Sequence, residues 1–471
     1  MDDRGHLLVD LAVLSIVLVG IWRFRNPRAA RSGLLMVGVA LLGALAIEVF
    51  RSPLQAPAVA AVAFAVGSLG GLTVAGRVNM TQIPALVGFQ NGAGGLASCL
   101  VSLVGLTREP LALGGVERAA ALFALIVGAA TFSGSMVASA KLANLLRQTP
   151  VAIRGHGPML LAAAAIVAAL ALGVAAADGP TRIGLAVAVA LVSLLFGIPF
   201  SMRVGGADMP VLISLLNALS GLSAGFCGVV VQSQVLTACG ATVAASGLIL
   251  TFAMCRAMNR SLLAVLLGTT LDYARNQTGA REAEEKPDST PAEPGGPTED
   301  PFSRAVEALQ TAGKVIMIPG YGMALAHAQS GTVQLANRLT EMGKDVKFAI
   351  HPLAGRMPGH MHVLLAEAEV DPDMLFDLDE VNSEFSATDL ALVVGACDVV
   401  NPAAVSVAGM PISGMPILGA HEAKSVLVCN LDAEPGYSGV DNPLYEDPKT
   451  ILLLGDARET LSRLLESLHA A

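Results

Sequence analysis

Long runs of apolar residues fill the first 255 residues of the chain. A helix that crosses the hydrocarbon core of a bilayer needs about 20 such residues in succession. Nine runs come near that length, at 7–22, 34–50, 57–75, 83–106, 119–140, 159–177, 181–200, 209–231 and 235–255. The sequence therefore predicts a polytopic α-helical membrane bundle of nine spans.

Composition supports a membrane protein and argues against nucleic-acid binding. Hydrophobic residues make up 54% of the 471 residues and charged residues 14%, far from the average of soluble domains. The net charge of -9 is carried mostly by residues after the apolar runs, so no basic face is expected. The first run has only Arg4 before it and four arginines after it, which indicates a retained span, not a cleaved signal peptide.

The distribution of basic residues predicts the orientation of the spans. Loops after the odd-numbered runs carry most of them: Arg23, Arg25, Arg28, Arg31, Arg77, Lys141, Arg147, Arg154, Arg203, Arg256 and Arg260. Cytoplasmic loops are the ones enriched in lysine and arginine. We therefore expect a multi-pass protein of the cell inner (plasma) membrane, with its N-terminus outside and its C-terminal domain in the cytoplasm.

The composition changes twice after the last run, which predicts three regions. A membrane domain is expected at 1–262, a flexible acidic linker at 263–300 and a globular domain at 301–471. Within the globular domain, helical stretches alternate with short β-branched or leucine-rich runs at 314–319, 346–350, 390–394, 425–429 and 451–454. This alternation is typical of an α/β Rossmann-like domain with a mostly parallel sheet.

Glycine-rich segments follow several of these predicted strands. The first strand leads through Gly320 and Gly322 into a helical pattern, but Leu325 occupies the place of the third glycine of the dinucleotide fingerprint. Taken alone, such a turn is a simple tight turn about as often as a ligand site. Similar segments at 354–360, 395–402, 414–416 and 436–439 would converge at one edge of the sheet, so together they predict nucleotide binding.

Many segments resemble the β subunit of proton-translocating NAD(P)+ transhydrogenases. After the linker, they are Gly-Tyr-Gly-Met-Ala at 320–324, Lys-Phe-Ala-Ile-His-Pro at 347–352, Ala-Gly-Arg-Met-Pro-Gly-His-Met at 354–361, Asn-Pro-Ala-Ala at 401–404, Gly-Tyr at 436–437, Asn-Pro-Leu at 442–444 and Gly-Asp-Ala at 455–457. Before the linker, they are Met-Thr-Gln-Ile-Pro at 80–84, Thr-Phe-Ser-Gly-Ser at 131–135, Gly-Ala-Asp-Met-Pro at 206–210 and Cys-Arg-Ala-Met-Asn-Arg-Ser at 255–261. The resemblance covers nearly the whole chain outside the linker.

The resemblance implies a Re/Si-specific enzyme that couples hydride transfer to proton movement. NADP(H) would bind this chain and NAD(H) a partner α subunit, in a dimer of heteromeric units within the lipid membrane. The implied nucleotide-binding residues are Gly320, Tyr321, Gly322, Ala354, Gly355, Arg356, Met357, Pro358, Gly359, Gly395, Ala396, Cys397, Asp398, Val399, Gly414, Met415, Asn430, Leu431, Asp432, Gly436, Tyr437, Asp456 and Ala457. Asp398 is the candidate catalytic residue, positioning the nicotinamide or the partner domain; the alternative is a loop aspartate that caps a turn.

The chain departs from the family pattern in two places. The family's Lys-Arg-Ser, which holds the ribose 2′-phosphate, falls on Asn430, Leu431 and Asp432, so NAD(H) is an alternative ligand unless Lys424 or a shifted loop substitutes. The family's membrane histidine falls on Asn91, which cannot exchange a proton near neutral pH. The candidates for a proton path are Asn91, Ser135, Asp208 and Asn217, with an interfacial Asp208 bonded to Arg203 as the alternative for that residue.

Other functions remain open at this stage. A transporter or channel could sense nucleotide without hydride transfer, and a degenerate paralogue could keep only the architecture. A metal site is not expected, because His351, His360 and His362 lie on separate turns and the six cysteines form no Cys-x-x-Cys pair.

Overall fold

The computed structural model of the protein describes residues 3–24, 27–51, 56–79, 82–107, 114–146, 156–177, 179–205, 208–257, 261–267, 300–357, 359–407, 410, 412–436 and 438–469. The chain forms two compact units, one containing most of the long apolar helices and the other containing the whole α/β region. Of the expected linker, only residue 300 and part of the short helix Leu262–Leu267 belong to the described residues. The predicted domain boundaries therefore remain predictions.

Long helices make up the N-terminal part of the described chain. They are α1 (Asp3–Arg23), α2 (Pro27–Arg51), α3 (Pro57–Ala75), α4 (Ile83–Thr107), α5 (Gly115–Leu142), α6 (His156–Ala176), α7 (Gly179–Met202), α8 (Met209–Val230), α9 (Gln234–Ala257) and the short α10 (Leu262–Leu267). Among the described residues, eight helices, α2 to α9, are long and apolar enough to cross a membrane. The bundle prediction is confirmed for these eight, and α1 as the ninth span remains a prediction.

Helix α1 packs antiparallel to α2 along its length. A Cβ atom added to Gly33 would lie 2.5 Å from the Gly20 carbonyl oxygen, so the two backbones are in contact there. Further along, Val13 and Val17 share an apolar cluster with Ala40. A helix that lies against a membrane span over this length is itself well placed to cross, which supports nine spans.

Helix α5 packs closely on α4 and α7. A Cβ atom on Gly128 would lie 2.6 Å from the Gly95 carbonyl oxygen of α4. A Cβ atom on Gly197 of α7 would overlap with the Ala130 carbonyl oxygen of α5. Close backbone contacts of this kind are the usual basis of helix association in lipid, where apolar burial gives little driving force.

The α/β region contains six strands, all parallel. They are β1 (Lys314–Pro319), β2 (Asp345–Ile350), β3 (Leu375–Asp377), β4 (Leu390–Val394), β5 (Ser425–Asn430) and β6 (Thr450–Leu454), in the order β3-β2-β1-β4-β5-β6. This is the strand order of the doubly wound dinucleotide-binding fold. The five predicted strands are confirmed, and the sequence reading missed β3, whose three residues are not fully buried.

Helices and single turns connect these strands. They are α11 (Pro301–Thr311), α12 (Tyr321–Leu325), α13 (Gln329–Glu341), α14 (His360–Glu367), α15 (Leu378–Val381), α16 (Ala403–Ser406) and α17 (Ala457–His469), with 3-10 turns at Pro372–Met374, Asn382–Ala387, Asp398–Val400, Ala420–Glu422 and Pro443–Glu446. The central strands are buried on both faces, and β4 has the pattern of five buried residues in succession. Such continuous apolar strands are typical of a parallel sheet that is covered on both sides.

Candidate functional site

The loops after β1 and β4 meet at the point where the strand order reverses. The Gly320 N–H donates to the Val394 carbonyl and the Gly322 N–H to the Gly395 carbonyl, each at 2.8 Å. Gly395 has φ +66, and a Cβ atom there would overlap with the backbone nitrogen of Met323. The glycines are required because two backbones touch, and the crevice beside them is where open α/β sheets bind their ligands.

The loop after β2 brings a cation to the same edge of the sheet. The Arg356 guanidinium carbon lies 4.3 Å from the centroid of the Tyr321 ring, so the two predicted residues are in contact. Gly355 and Gly359 have φ +135 and +72, a backbone region that favours glycine. Pro358 lies outside the described residues. The cation–π contact fixes the guanidinium beside the glycine turns, in a place suited to an anionic ligand.

Two buried histidines shape this loop. The His351 Nδ1 accepts from the Leu353 N–H at 3.0 Å, and its Nε2 lies 2.8 Å from the Pro416 carbonyl, next to the predicted Gly414 and Met415. The His360 Nδ1 accepts from the Arg356 N–H at 3.1 Å. Burial lowers the pKa of each histidine to about 4, and the Arg356 charge also lowers the pKa of His360. Both rings are therefore neutral near pH 7.

Asp398 connects the β4 loop to segment 436–440. Its Oδ1 accepts from the Ser438 hydroxyl at 2.6 Å and its Oδ2 from the Ser438 N–H at 3.1 Å. A Cβ atom on Gly436 would lie 2.8 Å from Asp398 Oδ2. These bonds reach a distant segment and do not cap the turn that Asp398 begins. Tyr437 itself lies outside the described residues.

Two asparagines fix the base of that segment. The Asn401 Nδ2 donates to the Asp441 carbonyl at 3.1 Å, while its Oδ1 accepts from the Ala403 N–H at 2.9 Å. The Asn442 Nδ2 donates to the Cys397 carbonyl at 3.2 Å. Both asparagines and Ser438 belong to the sequence motifs described above, but the sequence assigned none of the three a role. The adjacent prolines, Pro402 and Pro443, were the available signal, because Asn-Pro pairs favour turns.

The three residues at the end of β5 point in different directions. The Asn430 amide is buried and donates to the Ala396 carbonyl at 2.9 Å and to the Tyr445 hydroxyl at 2.8 Å. Leu431 is 73% exposed, and the Asp432 Oδ1 accepts from the Glu434 N–H at 3.1 Å. This end of β5 therefore presents carboxylates to solvent.

The segment that begins with β5 supplies no cation to replace the missing basic pair. Residues 425–448 contain no Lys, Arg or His. Lys424 precedes β5, at the opposite edge of the sheet, and pairs with Asp389 at 2.8 Å. The glycine turns and Arg356 thus fit a dinucleotide, whereas the end of β5 does not fit an added 2′-phosphate.

Asp456 and Ala457 lie after β6, at the start of α17. The Asp456 Oδ1 accepts from the Arg458 N–H at 2.8 Å, which caps that helix, and Ala457 is buried. The Gly455 N–H donates to the Asn430 carbonyl at 2.9 Å, so this loop lies beside the end of β5. Among the remaining predicted residues, Ala354, Ala396, Val399 and Met415 are buried, and Met357 and Cys397 are half-buried. Across the described residues, no group of three metal-binding side chains is present.

Three of the four proton-path candidates lie at one level of the helix bundle. Gly92 of α4 packs on α5, where its added Cβ atom would lie 3.1 Å from the Cβ of Ser135, and Asn91 is adjacent to that contact. A Cβ atom added to Gly94 would lie 2.8 Å from the Ser220 hydroxyl oxygen of α8. Asn91 lies one helical turn before Gly94, and Asn217 lies one turn before Ser220. Asn91 and Ser135 are buried and Asn217 is half-buried. Asp208 precedes α8, about 13 Å from Asn217 along the helix.

The comparisons with known proteins agree with this architecture. The family model described as NAD(P) transhydrogenase beta subunit matches residues 7–467. Two sequences named NAD(P) transhydrogenase subunit beta, both from Rhodospirillum rubrum, are each 37% identical to the chain over 460 residues. Each alignment covers 94% of this chain and 95% of the relative. With eight long apolar helices among its described residues and a parallel α/β domain, this chain belongs to the NAD(P) transhydrogenase beta subunit family.

Proposed function

We propose that the chain couples hydride transfer between NAD(H) on a partner α subunit and NADP(H) on its own α/β domain to proton movement across the membrane. The supporting observation is the contact of Gly320 and Gly322 with the Gly395 loop, beside the Arg356–Tyr321 pair. The family of the chain supports the transhydrogenase reaction and the α subunit partner. The Re/Si specificity and the dimer of heteromeric units belong to the proposal as implications of the resemblance. The nicotinamide ring, when bound, accepts or gives up the hydride.

The residues of the chain bind and orient the nucleotide and exclude water from it. The glycine turns let the backbone approach a diphosphate, and Arg356 contributes the opposite charge. Asp398 acts as a positioning residue, because its carboxylate holds Ser438 and with it segment 436–440. No covalent catalyst is required when two nicotinamides are held in contact, since orientation alone lowers the barrier.

The proton path is assigned to the polar level at Asn91, Ser135 and Asn217. Asn91 cannot carry a titrating proton, but an amide and a hydroxyl can hold a water molecule that does. The Ser135 Oγ is buried with no hydrogen-bond partner among the described residues, so it is available to such a water. Asp208 is the ionisable group on the route towards the cytoplasmic end of α8.

The test is reconstitution of this chain with its α subunit in sealed vesicles. Hydride transfer to a spectrally distinct NAD analogue and the pH of the vesicle lumen are recorded together. We expect transfer to acidify or alkalinise the lumen and to accelerate on addition of an uncoupler. Nucleotide binding without transfer would favour the sensing transporter or channel, and the absence of both would favour a degenerate paralogue.

NAD(H) is the second candidate ligand of this chain. It is favoured by the engaged Asn430 amide and by the exposed carboxylates of Asp432 and Glu434, which would repel a phosphate dianion. A carboxylate at this edge can instead accept hydrogen bonds from a ribose 2′-hydroxyl.

Binding of NADPH and NADH to the full-length chain in detergent distinguishes the two ligands. The informative variant combines Leu431→Arg with Asp432→Ser and leaves the buried Asn430 in place. Tighter NADPH binding by the unaltered chain would support NADP(H). A preference for NADH that the double variant reverses would support the second candidate. Asp345→Ser, which removes an exposed carboxylate at the start of β2, at the opposite edge of the sheet, is the matched control.

A further inference from the structure

His360 has one ring nitrogen whose hydrogen bonding is incomplete. The side chain is 1% exposed and its Nε2 has no partner among the described residues. His351 is equally buried, yet both of its ring nitrogens are bonded, to the Leu353 N–H and the Pro416 carbonyl. Buried polar atoms without a hydrogen-bond partner are rare. We therefore expect Nε2 to bond to a group that the described residues do not supply.

The backbone determines which nitrogen of His360 carries the proton. The Nδ1 atom accepts from the Arg356 N–H at 3.1 Å and therefore has no proton of its own in the neutral ring. The pKa of His360 is lowered to about 4 by burial and by the charge of Arg356, so the ring is neutral near pH 7. The single ring proton then lies on Nε2, which is a donor.

The surroundings of that donor favour an anionic acceptor. His360 is the first residue of α14, where the helix dipole attracts negative charge. Its ring lies 6.0 Å from the Tyr321 ring, over which the Arg356 guanidinium is placed at 4.3 Å. The His360 ring therefore lies beside the Tyr321–Arg356 pair, at the residue that follows Gly320.

We propose that the Nε2–H of His360 donates a hydrogen bond to a phosphate oxygen of the nucleotide bound by this domain. The inference rests on the proposed function, because it needs a nucleotide at the glycine turns. It adds a neutral donor to the positive charge of Arg356. The Arg356 backbone, by bonding to Nδ1, sets the tautomer that makes the donor available.

Two substitutions separate the two ring nitrogens. In His360→Asn, the side-chain oxygen takes the place of Nδ1 and keeps the bond from the Arg356 N–H, but the donor is lost. In His360→Gln, the amide nitrogen takes the place of Nε2 and keeps the donor. His362→Asn is the control, since His362 lies on the same helix with a half-exposed side chain 3.8 Å from Asp377.

NADPH and NADH binding to the full-length variants in detergent is the measurement. We expect His360→Asn to weaken binding of the preferred nucleotide about tenfold, the effect of one lost bond to a charged group. His360→Gln should stay within about threefold of the unaltered chain, and His362→Asn should match it.

Other outcomes overturn the proposal in distinguishable ways. Equal losses in the Asn and Gln variants would mean that the ring acts by packing alone. Unchanged binding in the Asn variant would mean that water satisfies Nε2. An unaltered chain that binds neither nucleotide would contradict the proposed function itself, and the role of His360 with it.

Discussion

A single carboxylate, that of Asp398, connects two loops that lie forty positions apart in the chain. Because an alanine side chain has no hydrogen-bond acceptor, Asp398→Ala should lose both bonds to Ser438. We expect segment 436–440 to exchange amide hydrogens faster and nucleotide affinity to fall about tenfold, as for loss of a charge-assisted bond. Hydrogen exchange of the full chain measures the first effect. With Asp345→Ala as control, which removes an exposed carboxylate at the start of β2, equal exchange in both variants would count against the link.

The neutral histidines make the α/β domain sensitive to mild acid. His351 and His360 have pKa values of about 4 when folded and ordinary values near 6.5 when unfolded. As pH falls from 6.5 towards 4, the unfolded state takes up protons first, so stability present above pH 6.5 is progressively lost. Each histidine accounts for about 3 kcal/mol over that window.

Thermal unfolding of the full chain between pH 7.5 and 4.5 checks this loss. Asp389, whose pKa is lowered to about 2 by its bonds to Lys424 and to the Gly313 and Lys314 N–H groups, contributes stability that is lost only below pH 4. The two effects therefore occupy different pH ranges. His351→Gln should remove about half of the loss above pH 4, and a variant with the full pH dependence would contradict the assignment.

At the residue scale, the sequence located the candidates in loops after predicted strands but could not orient their side chains. It identified Asn430 as a departure at the end of a strand, yet the inward direction of its amide depends on the sheet register and on Tyr445, fifteen residues away. The bond from the Arg356 N–H to His360 likewise depends on the positive φ of Gly355 between strand and helix.

Among the elements, the contact between α5 and α7 allows a sharp test of helix packing. Gly197→Ala would place a Cβ atom against the Ala130 carbonyl and the Ser133 hydroxyl, so the helices must separate. We expect destabilisation by about 1–3 kcal/mol, measured as a lower temperature of thermal aggregation in detergent. Gly184→Ala, on the same helix with no atom within 4 Å of its added Cβ, should be neutral or slightly stabilising.

Helices and strands were predicted from the sequence where their pattern of apolar residues was long. Runs of about 20 apolar residues specify a membrane helix without any tertiary information, and eight of them are found as such. The five strands of continuous apolar residues were also found from the sequence. By contrast, β3 has three residues and α15 and α16 have four each, too few for either periodicity to appear.

For the whole molecule, the number of spans decides where the N-terminus lies. The antiparallel contact of α1 with α2 at Gly20 and Gly33 supports a ninth span. We therefore expect a tag before Met1 to be cleaved by protease added outside intact cells, and a tag after Ala471 only in inverted membrane vesicles. Cleavage of both tags in inverted vesicles alone would mean that α1 does not cross.

The link between Asp398 and Ser438 also has a consequence for timing. If segment 436–440 closes over a bound nucleotide, the nucleotide leaves only after the carboxylate has released both of its bonds. A charge-assisted bond of about 1.5–3 kcal/mol lengthens the dwell time roughly ten- to a hundredfold. In the proposed coupling, a long dwell would keep the oxidised and reduced forms on the α/β domain until the membrane helices have responded. The bonds from Ser438 to Asp398 would then limit hydride transfer that is not accompanied by proton movement.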